Sequence, residues 1–220
     1  METHSGFTAG TSERTTPLAQ PRNGLHISAP PNRANAMDEV LSRLRKALAD
    51  RYTVEREIGR GGMSLVFLAR DSRNERNIAL KVLRPELTKS IGSNRFLREI
   101  KIAANLEHPH ILPLFDSGDA DGLLYYTMPF VGGESLRDRI KRDGQLTVEH
   151  AVRIAKEVAD ALAYAHDQGV VHRDIKPENV LLASGIARVS DFGIARARTK
   201  AGDYESTTDA NFAIGTPEYM

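Results

Sequence analysis

The stretch VVHRDIKPENVLL, residues 170–182, places His172, Arg173, Asp174, Lys176, Glu178 and Asn179 between two Val/Leu runs with strand character. Burying polar or charged groups is costly unless each finds a partner. A connection this rich in them, held between apolar flanks, therefore reads as a functional loop rather than a spacer. Just downstream, ASGIARVSDFG closes a second hairpin-like segment at Asp191-Phe192-Gly193. Two carboxylates and an amide converging from adjacent loops supply hard oxygen ligands for a divalent cation and leave Asp174 free to accept a proton.

Upstream, IGRGGMSLVFLA sets Gly59, Gly61 and Gly62 at a strand-turn-strand junction. Missing side chains there let backbone amides approach a phosphate closely, although an ordinary glycine hairpin would use the same residues. No GxxxxGK[ST] element is present, so a P-loop nucleotidase is not supported. Lys81 lies in IALKVL, an apolar strand where an ammonium needs a fixed anion, and Glu99 on the next helix offers a carboxylate. A snorkelling edge lysine is the plainer reading of Lys81 by itself. Solvated turn residues would account for each of these side chains singly. They do not account for the order Gly loop, Lys, Glu, His-Arg-Asp, Asn, Asp-Phe-Gly.

Around these motifs, residues 1–36 are polar and poor in large apolar side chains, which predicts a disordered tail. MDEVLSRLRKALAD, with Val40, Leu41, Leu44 and Leu48 at helical spacing, predicts a short amphipathic helix over 37–51. Met37 is also a candidate start of translation. YTVEREIG, SLVFLAR and NIALKVL predict an antiparallel meander, SNRFLREIKIAANLEH a helix, and HILPLFDSG and LLYYTMPFV further strands. After Gly132-Gly133 the pattern turns helical. SLRDRIKRD is one helix; a longer one runs from a Thr147 N-cap to a stop at Gly169, with Ala151, Ala155, Val158, Leu162 and Ala165 on one stripe.

Thirty basic against twenty-nine acidic residues leave a net charge of +1, which argues against a general nucleic-acid or anionic-membrane binder. The absence of cysteine excludes disulfides, thiolate catalysis and cysteine zinc sites and fits a reducing cytoplasm. No apolar run reaches the length of a membrane helix, and the N-terminus lacks a signal-peptide core.

Taken together, the motifs resemble the protein-kinase signature, and their wording is similar to bacterial Hanks-type (eukaryotic-like) serine/threonine protein kinases over about residues 52–220. The resemblance implies an α+β, two-lobed fold, with a complete β-rich N-lobe at 52–131 and an incomplete helical C-lobe at 132–220. The chain ends at GTPEYM, before the family's Ala-Pro-Glu motif. The resemblance implies ATP under the glycine loop, walled by Ile58, Gly59, Gly61, Gly62, Val66 and Ala79, with Ser64 at the third glycine position. It further implies that Lys81, paired to Glu99, binds the phosphates and that Asp174 is the base. Lys176 would meet the transferred phosphate, Thr216 would pack against Asp174 and Lys176, and Asn179 and Asp191 would hold magnesium, for which manganese could substitute. Met128 corresponds to the gatekeeper, and the backbone of Pro129 and Val131 to the adenine contacts; the carbonyl expected of Pro129 needs no amide hydrogen.

The function so implied is transfer of the ATP γ-phosphoryl group to Ser or Thr of protein substrates; the polar loop 198–212, which carries Thr199, Ser206, Thr207 and Thr208, adds the expectation of autophosphorylation, favoured at Thr207 or Thr208, with self-association for it. The expected location is cytoplasmic, with a membrane anchor conceivable beyond residue 220. Two alternatives stand beside it. One is a catalytically silent, aggregation-prone kinase-like fragment or scaffold, in which the apolar stripe of the 147–169 helix lacks its cover. The other is a small-molecule phosphotransferase, against which KPEN and GTPEY argue.

Overall fold

Short Val/Ile/Leu runs separated by glycine or polar turns assemble into one antiparallel sheet, in a computed structural model that describes residues 33–85, 87–88 and 92–192. Strands β1 (Tyr52–Arg60), β2 (Ser64–Asp71) and β3 (Arg76–Leu83) form the expected meander, and β4 (Asp116–Ala120) and β5 (Leu123–Pro129) complete the order β1-β2-β3-β5-β4. The β4–β5 turn holds Asp121 and Gly122 at φ 54° and 76°, the left-handed pair that a two-residue hairpin of matching twist requires.

The strand expected over 110–118 begins only at Asp116. Its first half is taken elsewhere: Val189 N donates to His110 O at 2.8 Å and Leu112 N to Val189 O at 2.9 Å. Backbone groups engaged in this way cannot also join the large sheet.

Successive strand side chains point to opposite faces, and both faces are covered. Ile78, Leu80, Val82, Leu123 and Tyr125 pack on one side with Leu44 of helix α1 (Arg33–Ala47) and with Leu48 in the turn that follows it. This helix begins a turn ahead of Met37, where the apolar spacing starts. Ala79, Leu83, Leu124, Tyr126 and Met128 pack on the other side with Phe96 and Ile100 of helix α2 (Ser93–Ala103).

Beyond the connection at Phe130–Gly133 lies the second lobe: β6 (Glu134–Ser135), α3 (Leu136–Asp143), α4 (Val148–Asp167), a 3-10 turn (Pro177–Asn179), β7 (Val180–Ala183) and β8 (Ile186–Val189). Ser135 and Asp138 close a reciprocal capping box at the start of α3. Thr147 Oγ1 accepts from His150 N at 3.3 Å at the start of α4, the side-chain cap its position predicts. Gly169, at φ 71°, ends α4. Val170 N then turns back to Ala165 O at 2.8 Å. Val170 and Val171 are consequently not a strand; Val170 is buried among Ala161 and Ala165, and Val171 is half exposed.

The buried line of α4 runs through Ile154, Ala161 and Ala165, with Val158 and Leu162 partly buried beside it, whereas Ala151 and Ala155 are exposed. Residues 154, 158, 161 and 165 satisfy helical spacing as well as the expected stripe does. The packing of α4 on β8 selects between them. The architecture is α+β and two-lobed. Among the described residues no helix is long and apolar enough to cross a membrane. The first 32 residues of the polar tail, Gly193, the loop 198–212 and Thr216 lie outside the described residues.

Candidate active site

Between the lobes lies a cleft of about 860 Å³. Its upper wall is built by β1 and β2 with Ile58, Gly59, Gly61, Gly62, Ser64 and Val66, by β3 with Ala79 and Lys81, and by β5 with Met128 and Pro129, continuing into Val131. Its lower side carries Asp174, Lys176, Asn179 and Asp191. All of these positions were expected from the sequence to share a site, and the fold brings them together. Glu99, on α2 and buried, is not among the cleft-lining residues, and Thr216 lies outside the described residues.

The glycines of the β1–β2 turn have a particular environment. None of Gly59, Gly61 and Gly62 adopts a positive φ. A Cβ on Gly61 would meet nothing closer than 3.7 Å, and one on Gly62 nothing within 4 Å. Neither backbone conformation nor packing within the chain therefore calls for glycine at 61 or 62. What the missing side chains leave is open space over the cleft.

Asp191 sits at the back of that cleft with φ 70°, an uncommon conformation for a residue with a side chain. Lys81 Nζ makes an ion pair with Asp191 Oδ2, and the Tyr126 hydroxyl donates to Oδ1 at 2.6 Å. The expected Lys81–Glu99 pairing is thereby corrected. The strand that carries Lys81 aims it into the cleft, where the carboxylate facing it is Asp191. Burial alone would raise the Asp191 pKa, but the Lys81 charge and the hydrogen bonds from Lys81 and Tyr126 outweigh it and hold the carboxyl below its usual value. Burial, reinforced by the negative charge of Asp191, pushes the Tyr126 phenol well above its ordinary value, so it stays a donor.

The 170–182 loop answers its polar content with internal partners. Lys176 Nζ donates to Asp174 Oδ2 at 2.7 Å, and Asn179 Nδ2 donates to the Asp174 carbonyl at 2.8 Å. His172, 1% exposed, contacts Ser190 O through Nε2 at 2.8 Å and accepts from Asp174 N at Nδ1 at 3.2 Å. Only the neutral ring protonated at Nε2 makes both bonds. Burial pushes its pKa below the ordinary histidine value. The Phe192 ring stands edge-on to it at 4.6 Å, and Ser190 N donates to Asn179 O at 2.9 Å. The loop and the Asp191 segment are thus one hydrogen-bonded unit, with Arg173 at φ 68° as a second left-handed residue.

The donor set suits a small divalent cation. Asp191 offers a carboxylate, and Asn179, its Nδ2 spent on Asp174, has Oδ1 left as its acceptor. Among the described residues no group of three or more His, Cys, Asp or Glu is arranged to hold a metal. Magnesium commonly takes one or two protein oxygens and completes its shell with substrate phosphates and water, which matches Asp191 and Asn179. Tyr126 was missed in the sequence. The signal was available in strand alternation, since Met128 on β5 faces the cleft side and Tyr126, two residues earlier, shares its face.

Comparison with known proteins agrees with this geometry. The family model described as protein kinase domain matches residues 52–220. The serine/threonine-protein kinase PknB of Mycobacterium tuberculosis is 40% identical over 179 residues, covering 79% of this chain and 28% of that protein. The serine/threonine-protein kinase pkn3 of Myxococcus xanthus is 41% identical over 182 residues, 80% of this chain and 33% of that protein. This chain thus spans about a third or less of the length of these curated relatives. The crystal structure of the M. tuberculosis PknI kinase domain superposes with a TM-score of 0.60 at 39% identity, over 65% of this chain and 58% of that one. With its motifs gathered in one interlobe cleft and a family match across most of its length, the chain belongs to the protein kinase family, alongside the bacterial Hanks-type serine/threonine kinases.

Proposed function

We propose that this chain carries the catalytic machinery of a protein serine/threonine kinase, moving the γ-phosphoryl group of ATP to a hydroxyl of a protein substrate. The observation that carries the reading is the single cleft in which the glycine turn, Lys81 and Asp191 face Asp174, Lys176 and Asn179. Asp174 takes the proton of the attacking hydroxyl, whose oxygen forms the new bond to the γ-phosphorus while the bond to the β–γ bridging oxygen breaks and ADP leaves. Lys176, already beside Asp174, supplies positive charge where the phosphoryl group passes. Lys81 exchanges its contact with Asp191 for the nucleotide phosphates, and the open space over Gly61 and Gly62 admits them close to the backbone. Asn179 and Asp191 hold magnesium, which when bound neutralises charge developing on the phosphate oxygens. Met128, Pro129 and Val131 bound the adenine end. Autophosphorylation within 198–212, between self-associating copies, belongs to the same reading.

The test is transfer of labelled phosphate from ATP to a Ser/Thr acceptor protein. Asp174→Asn should lower turnover by about two to four orders of magnitude, the usual range for losing a general base, with ATP binding largely retained. EDTA should abolish both transfer and metal-assisted binding. Magnesium-dependent ATP binding with no transfer to any acceptor would favour the silent-scaffold reading instead.

A further inference from the structure

Val66 on β2, Lys81 on β3 and Tyr126 on β5 are successive cross-strand partners. Directly paired residues of an antiparallel sheet have Cβ atoms about 4.5–5.5 Å apart on the same face, so the ammonium of Lys81 and the phenol of Tyr126 reach the same place. That place is Asp191, with Lys81 on Oδ2 and Tyr126 on Oδ1. The two differ in their freedom. Lys81 has a flexible stem and lines the cleft, whereas Tyr126 is fully buried behind the cleft wall, its ring 6.3 Å from that of Phe96.

Resting on the nucleotide and metal reading above, we infer that Tyr126 is a positioning residue whose hydroxyl keeps Oδ1 of Asp191 occupied, so that the carboxylate presents Oδ2 to a divalent cation. Lys81 leaves Oδ2 for the nucleotide phosphates, and Tyr126 stays on Oδ1. A carboxylate with one oxygen tethered has a single orientation to offer. That constraint matters here because Asp191 stands in a left-handed conformation that only its surroundings maintain. Partners that orient a metal-ligating side chain in this way are commonly worth about 10–100-fold in metal affinity.

The experiment is Tyr126→Phe in the full 220-residue chain, which removes the hydroxyl and keeps the ring against Phe96. Calorimetric titration with ADP at graded MgCl2 reads the apparent Mg2+ affinity, titration with ADP in EDTA reads metal-free binding, and thermal melts report the fold. The expected result is an Mg2+ affinity lowered by about 10–100-fold, with metal-free ADP binding and the cooperative melt kept. An unchanged or tighter Mg2+ affinity, or an equal loss of metal-free binding, would overturn the role of Tyr126 and leave the nucleotide reading intact. A wild-type chain whose ADP binding ignores Mg2+ would overturn that reading and the tyrosine's role with it.

Discussion

At the scale of single residues, His172 shows how burial and hydrogen bonding select a protonation state. Its Nε2 meets Ser190 O and its Nδ1 accepts from Asp174 N, so a second proton on the ring would set two donors against each other beside the proposed base. Burial lowers its folded-state pKa below the ordinary value of about 6.5. Below that value the unfolded chain binds the proton more readily than the folded one. The contribution of His172 is therefore fully present above about pH 6.5 and is lost as pH falls toward the folded pKa, at up to about 1.4 kcal/mol per pH unit. We expect urea midpoints of the wild type to drop more steeply than those of His172→Gln between about pH 7.5 and pH 5. A difference between the two that stays constant with pH would count against this account. Lys81 carries a related lesson: apolar strand residues around it announced that it needs an anion, but Glu99 and Asp191 were both carboxylates on offer. Only the aim of its side chain into the cleft decided for Asp191.

At the scale of elements, caps and turns were legible because they are local. Thr147 and Gly169 sit where nearest-neighbour chemistry puts them. The stripe of α4 was not, since two overlapping sets of residues fit helical spacing and the β8 face chose the one through Ile154 and Ala161. The glycine pair after β5 separates in a similar way. A Cβ on Gly133 would come within 2.1 Å of the Leu182 carbonyl oxygen, where β6 lies against β7, while one on Gly132 would meet nothing within 4 Å. Backbone cannot yield as a flexible side chain does, so Gly133→Ala should destabilise the chain by about 1–3 kcal/mol. Gly132→Ala should stay within about 0.5 kcal/mol of wild type. Chemical-denaturation midpoints of the two variants check the contrast, and equal effects would argue against the close approach of β6 and β7.

At the scale of the whole molecule, the fold reaches beyond the segment that resembles kinases. Helix α1 precedes residue 52, yet Leu44 is fully buried with Tyr52, Phe67 and Leu80, and Arg45 donates to the carbonyls of Val54 and Glu55 at 3.0 and 2.7 Å. Truncating a buried leucine costs about 2–5 kcal/mol, so Leu44→Ala should lower the unfolding free energy by that amount. Leu41→Ala, only partly buried, should cost less. If both variants melted like wild type, α1 would not be part of the sheet's core. Seen at this scale, the sequence by itself determined the β1–β3 meander, α2, the ends of α4 and the set of residues that meet in the cleft. Each of these rests on periodicity, caps, turn chemistry or motif order, which neighbours along the chain encode. Only the tertiary structure decided that His110–Leu112 pairs with β8 rather than the large sheet, and that Lys81 and Tyr126 share Asp191. Those outcomes depend on which backbone and side-chain groups meet across long stretches of chain, and no local pattern carries that information.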